Sequence, residues 1–240
     1  TNMKEKTLGV LGGVGPLATV YFAKLLVEMT KADCDQSHIS SVILNHASIP
    51  DRTEYILDNS KPNPLPVMIE DAKKLEKMGV DFIVIPCNTA HYFYEQIQSN
   101  VSIPLVNIIE ETVDYAQKTV KNLRKLGILA TKGTITAKSY QRACEKRDIE
   151  PAVPSIQDEQ SLMHIIYNQV KAGKRVDLQL FLNIIETMKN DGCDAVVLGC
   201  TELSVIKHEF NIKRPDVIDS LEVLAKRSIE LCGKELAVEM

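Results

Sequence analysis

The 240-residue chain has no Cys-x-x-Cys pair, no long apolar run and no excess of basic residues, and each absence removes a class of function. Without cysteines at ligand spacing a zinc site has no support, and no metal is expected. The six cysteines are scattered, and no basic segment followed by an apolar one opens the sequence. Reduced thiols and a cytoplasmic location are therefore expected. The longest apolar stretches, such as 82–85 and 195–198, are far too short to cross a bilayer, so no membrane partner is expected. Lysine and arginine total 28 against 32 aspartates and glutamates, a net charge of −4, which argues against nucleic acid as a partner. A small charged metabolite stays open.

What the sequence does contain is alternation. Short runs rich in valine, isoleucine and leucine alternate with amphipathic stretches of helix length, the pattern of parallel strands joined by crossover helices. Strands are expected at 8–11, 41–44, 82–85, 105–108, 127–130 and 195–198, with a short one at 217–218. Helical spacing of apolar residues marks 17–30, 66–77, 109–123, 136–146, 159–170, 177–190 and 219–231. The fold class is α/β.

Two distant segments are near-copies: Gly79-Val80-Asp81-Phe82-Ile83-Val84-Ile85-Pro86-Cys87 and Gly192-Cys193-Asp194-Ala195-Val196-Val197-Leu198-Gly199-Cys200. In each, a glycine stands eight residues before a cysteine, an aspartate follows the glycine by two, and an apolar run lies between. Leu8-Gly9-Val10-Leu11 and Leu126-Gly127-Ile128-Leu129 repeat at nearly the same offset. Two pseudo-symmetric lobes follow, each a mainly parallel sheet flanked by helices. The first is assigned to residues 1–115 plus 209–240, with a returning C-terminal helix, and the second to 116–208. Ligands of open α/β sheets sit at the carboxyl ends of strands, where both cysteines fall, so the site is expected in the cleft between the lobes.

A thiol and a thiolate on opposite walls of a cleft could take a proton from one face of a carbon and return it to the other. That is the requirement for inverting a stereocentre without a cofactor. A helix N-terminus after each cysteine would favour the thiolate. Two buried cysteines serving as small apolar residues is the competing view, and the matched contexts of Cys87 and Cys200 weigh against it.

Five motifs carry a family resemblance: Gly12-Gly13-Val14-Gly15-Pro16-Leu17-Ala18-Thr19, Ile49-Pro50-Asp51-Arg52-Thr53, Pro86-Cys87-Asn88-Thr89-Ala90-His91, Ala130-Thr131-Lys132-Gly133-Thr134 and Leu198-Gly199-Cys200-Thr201-Glu202-Leu203. In this order they resemble the aspartate/glutamate racemase family over nearly the whole chain. The resemblance implies a cofactor-independent amino-acid racemase, acting as a homodimer on aspartate first and glutamate second. It implies Cys200 as the base toward the L-isomer and Cys87 toward the D-isomer. It further implies substrate contacts from Val14, Arg52, Asn88, Thr89, Ala90, Thr131, Lys171 and Thr201. Arg52 would clamp a side-chain carboxylate with its planar fork. Lys174 lies close enough to be confused with Lys171. His91, one turn into its helix, is expected to be a neutral hydrogen-bonding imidazole, and a supporting role for Glu202 is left open.

Three rivals remain. Gly13-Val14-Gly15-Pro16-Leu17-Ala18 fits a loose dinucleotide fingerprint, but Pro16 removes a phosphate-loop donor and the second strand ends in Asn45-His46 rather than an acidic residue. A two-lobed dicarboxylate-binding protein would leave the repeated thiols unexplained. Maleate isomerases and hydantoin racemases share the paired-cysteine plan and differ in substrate.

Overall fold

The computed structural model describes residues 5–238, so positions 1–4 and 239–240 of the lobe division lie outside the described residues. The first half runs β1 (Thr7–Gly12), α1 (Pro16–Met29), β2 (Ser40–Asn45), α2 (Arg52–Leu57), α3 (Leu65–Lys77), β3 (Phe82–Val84), α4 (Tyr94–Gln98) and α5 (Ile108–Thr119). The second runs β4 (Lys125–Leu129), α6 (Lys132–Ala137), α7 (Ser139–Glu145), β5 (Glu150–Ala152), α8 (Ile156–His164), α9 (Leu178–Asn190), β6 (Ala195–Leu198), α10 (Thr201–Glu209), β7 (Val217–Asp219) and α11 (Ser220–Leu231). The helix expected over 136–146 is broken at Lys138, whose φ of 58° separates α6 from α7.

The strands form two parallel sheets, ordered β2-β1-β3 and β5-β4-β6-β7. Leu105 adds a single parallel bridge to Ile83, at the position that β7 fills in the second sheet. The strand expected at 105–108 shrinks to that bridge because Asn107 turns the chain into α5, its side chain accepting from the N–H of Ile109 and Glu110. Asp219 does the same after β7, accepting from Leu221 and Glu222. The repeat thus extends to the last strand and helix of each half.

The glycine and aspartate of the cysteine repeat have structural causes. Gly79 and Gly192 follow α3 and α9 at φ of 83° and 98°, the left-handed conformation that ends a helix most easily without a Cβ. The carboxylate of Asp81 then accepts from the N–H of Thr7, and that of Asp194 from those of Arg124 and Lys125. Each aspartate therefore ties the start of one cysteine strand to the start of its central neighbour, which sets their register.

Strand periodicity sorts the apolar side chains into three cores. Leu8 and Val10 of β1, Phe82 and Val84 of β3, Leu126 and Ile128 of β4, and Ala195 and Val197 of β6 face one continuous cluster shared by both sheets. Ile83 and Ile85 turn to a core of the first half, and Val196 and Leu198 to a core of the second. α5 and α11 pack on each other within the shared cluster. α5 also packs on α7 and α11 on α1, so each half lends its last helix to the other. α11 packs on α1, and β7 hydrogen-bonds to β6 within the second sheet.

Candidate active site

Each cysteine stands just past the carboxyl end of a strand, Cys87 after β3 and Cys200 directly before α10. Two loops of the same design, one from each sheet, thereby meet. Thr201 Oγ1 donates to the Pro86 carbonyl at 3.1 Å, binding the second cysteine loop to the first. Beside them Thr131 caps α6 by accepting from the N–H of Thr134, and its hydroxyl meets those of Thr89 at 2.8 Å and Thr53 at 3.1 Å. Gly133 permits this closeness, because a Cβ there would lie 2.9 Å from the Thr53 backbone.

Between the loops lies a cavity of about 270 Å³, gaps and mouth included, lined by both cysteines together with Arg52, Thr53, Asn88, Thr89, Thr131, Tyr167, Lys171, Thr201 and Glu202. In this closed state it has room for roughly one water molecule. Admission of an amino acid therefore requires the walls to part. Cys87 and Cys200 are 7% and 4% exposed, and both line this space.

The eight residues expected as substrate contacts have different fates. Arg52, Asn88, Thr89, Thr131, Lys171 and Thr201 line the cavity, whereas Val14 and Ala90 do not. Val14 and Ala90 pack into the core of the first half instead. Lys171, rather than Lys174, faces the site. Asn88 and Thr201 make no cap bonds; their side chains bridge the halves. Thr53 and Tyr167 were not anticipated, since both are brought in by contacts between segments far apart in sequence.

Charge is distributed unequally around the two sulfurs. Cys200 Sγ donates to Glu202 Oε2 at 3.1 Å, and Lys171 Nζ donates to Glu202 Oε1 at 2.9 Å. Burial first, and then the Glu202 charge, push the Cys200 thiol well above its ordinary pKa, with Lys171 opposing them. The helix start after Cys200 does not make it acidic, contrary to the sequence-based expectation. Burial would raise the Glu202 pKa, but Lys171 and the Cys200 thiol outweigh it and hold the carboxyl below its usual range. Gly15 leaves the room this pair needs, since a Cβ there would come within 3.1 Å of Glu202 and 3.2 Å of Lys171.

Arg52 borders the other sulfur. It is 7% exposed, and its Nη1 donates to the Pro50 carbonyl at 3.2 Å. Burial would weaken its cation, but the charges of Cys87, Asp51 and Glu202 prevail and raise its pKa. Among the described residues no carboxylate lies within ion-pair distance of it, and its buried Nε has no hydrogen-bond partner. The Asp51 carboxylate is engaged elsewhere, accepting from the Glu54 N–H at 2.8 Å and from the Tyr167 hydroxyl at 3.0 Å. Tyr167 rides on a π-helical turn, Ile165–Val170, where the Lys171 N–H bonds five residues back to the Ile166 carbonyl.

His91 is a neutral imidazole, as its place in the sequence suggests, although burial is the main cause. Its Nε2 accepts from the Ile108 N–H at 3.2 Å, so its Nδ1 carries the proton and donates to the Cys87 carbonyl at 2.7 Å. Burial lowers its pKa to about 4. The glycine loop after β1 is equally occupied: a Cβ on Gly13 would strike the His46 backbone at 2.3 Å. A dinucleotide phosphate has no space against that glycine.

A profile of the Asp/Glu/hydantoin racemase family matches residues 11–227. The chain belongs to this family. It is 31% identical to an aspartate racemase from Picrophilus torridus whose solved structure superposes with a TM-score of 0.82, covering 97% of this chain and 96% of that one. An aspartate racemase homologue from Pyrococcus horikoshii is 28% identical with a TM-score of 0.74, covering 95% and 99%. A broad specificity amino-acid racemase of Bacillus subtilis is 27% identical over 228 residues, 92% of this chain and 96% of the relative. Family membership makes the protein an amino-acid racemase, and the cavity between the two sheets is where its geometry can support that chemistry.

Proposed function

We propose that the protein racemises an acidic amino acid, aspartate first and glutamate second, by exchanging a proton between Cys87, Cys200 and the substrate α-carbon without a cofactor. The observation that carries this reading is the joint lining of one buried cavity by both thiols and by Arg52, whose buried Nε has no partner. An unpaired guanidinium N–H in a site closed to water is costly, and a substrate carboxylate would satisfy it. The relatives named aspartate racemase support the same choice of substrate.

Removal of the α-proton leaves a carbanionic centre beside the α-carboxylate, and the side chains of Asn88, Thr89 and Thr131 are the donors available to hold that carboxylate, while Thr201, whose hydroxyl proton goes to the Pro86 carbonyl, contributes a wall of the cavity. With Cys200 kept as a thiol, Cys87 is the base toward the D-isomer: it takes the proton from one face, and Cys200 supplies one to the other. The return direction needs the opposite protonation of the pair. Glu202 orients the Cys200 thiol while Lys171 balances the carboxylate charge. A homodimer in the cytoplasm completes the proposal, checked by light scattering for about twice the 26.8 kDa chain mass.

A chiral assay against L- and D-aspartate, glutamate, alanine, maleate and hydantoins, with no cofactor added, tests the reading. Aspartate is expected to turn over fastest, and Arg52→Ala to lower kcat/KM for aspartate at least tenfold more than for alanine. Preference for maleate or a hydantoin, or an equal Arg52→Ala effect on aspartate and alanine, would overturn it.

A further inference from the structure

One chain of buried hydrogen bonds reaches the site from behind and is not part of the cysteine repeat. Ser220 Oγ donates to the Leu198 carbonyl at 2.7 Å. A carbonyl only accepts, so the serine hydroxyl has spent its one proton there and must accept from Asn88 Nδ2, 3.0 Å away. That fixes the amide nitrogen of Asn88 toward Ser220 and its Oδ1 toward Tyr140, whose hydroxyl donates to it at 2.5 Å. Each step is dictated by the one before it, starting from a backbone carbonyl that cannot change role. Asn88, Tyr140 and Ser220 are 2%, 0% and 0% exposed, so no water competes for these bonds.

The arrangement joins parts that the sequence keeps far apart. Asn88 follows Cys87 in the first half, Tyr140 stands on α7, Ser220 opens α11, and Leu198 lies two residues before Cys200. Gly199 makes room for the tyrosine, because a Cβ there would meet the Tyr140 ring at 2.9 Å. Asn88 has two amide protons and Ser220 takes one; the second remains on a residue that lines the cavity.

We propose that Tyr140 and Ser220 are positioning residues, which lock the Asn88 carboxamide so that its second N–H serves as a fixed donor to the substrate carboxylate. This rests on the functional reading above only for the nature of the ligand. With the amide locked, no rotation is needed when charge develops in the carbanionic transition state. A free asparagine would present its carbonyl oxygen to the carboxylate half the time, which repels it.

The test has two arms. In protein carrying ¹⁵N-asparagine, the Asn88 side-chain amide protons should be protected from exchange with solvent and ¹⁵N relaxation should show the group as rigid as the buried backbone, and Tyr140→Phe and Ser220→Ala should each speed the exchange and loosen the group. A freely rotating amide in the native chain would overturn the lock, whatever the protein catalyses. In kinetics, Tyr140→Phe should lower kcat/KM for aspartate about tenfold, and the same change in an Asn88→Ala background should have less than a twofold effect, because the group it acts through is gone. An undiminished loss in that background, or no loss in the native one, would show that Tyr140 does not act through Asn88. If the native chain fails to racemise aspartate while the amide signals are as described, the functional reading falls and the lock stands.

Discussion

At the scale of single residues, the asymmetry of charge matters most. Glu202 raises the Cys200 pKa, so Glu202→Gln should lower it. Where Cys200 acts as the acid, its deprotonation sets the alkaline fall in kcat/KM, and that limb should move to lower pH in Glu202→Gln. A pH–rate profile with D-aspartate reads this directly, and an unmoved alkaline limb would separate Glu202 from Cys200 function. His91 offers a second test through stability. It titrates near 4 when folded and near 6.5 when unfolded. Between those values the unfolded chain binds more protons, so stability declines as pH falls, by about 3 kcal/mol over the whole window. Urea titrations between pH 6.5 and 4 should show a flatter slope for His91→Asn; an equal slope would assign the decline to other groups. Cys87, Cys200 and Arg52 were legible because they sit in repeated or motif-bearing segments. Tyr167, Tyr140 and Ser220 were not, since nothing local distinguishes a tyrosine aimed at a distant asparagine from one that fills a core; Thr53 stood in the Arg52 motif without being singled out.

At the scale of elements, hydrophobic periodicity carried most of the information. The strands at 82–85 and 195–198 alternate between two cores, and their apolar runs read as buried on both faces. α2 and α6 have six residues each, too short for an amphipathic period, and the break at Lys138 leaves no Gly or Pro to announce it. A short strand was expected at 217–218, but its pairing with β6 was not legible, because three residues carry too little pattern to say which sheet they join. Two glycines test the element boundaries. Gly192→Ala should cost about 1–2 kcal/mol of stability, because φ is 98° there, with aspartate turnover per folded molecule retained. Gly133→Ala should act differently: its Cβ would push α2, which begins at Arg52, away from α6. A raised KM for aspartate with kcat less affected is expected, and an unchanged KM would mean that the α2–α6 contact does not set the position of Arg52.

At the scale of the whole molecule, the shared core and the exchanged helices make the two sheets one cooperative body. α5 and α11 each pack across to the opposite half, so neither sheet keeps its full covering alone. Calorimetry should therefore record a single unfolding transition, whereas two resolved transitions would show that the halves fold independently. The same construction holds both cysteine loops on one closed cavity, which must open to admit substrate and close to exclude water. The most direct measurement of that arrangement is proton NMR of the aspartate α-hydrogen in heavy water, with native protein, Cys87→Ser and Cys200→Ser, each first shown to be folded. Native protein should wash the α-proton out of both enantiomers and bring either to a racemate. Each serine variant should lose racemisation by at least a thousandfold. Racemisation at the native rate in either variant would contradict a two-thiol mechanism.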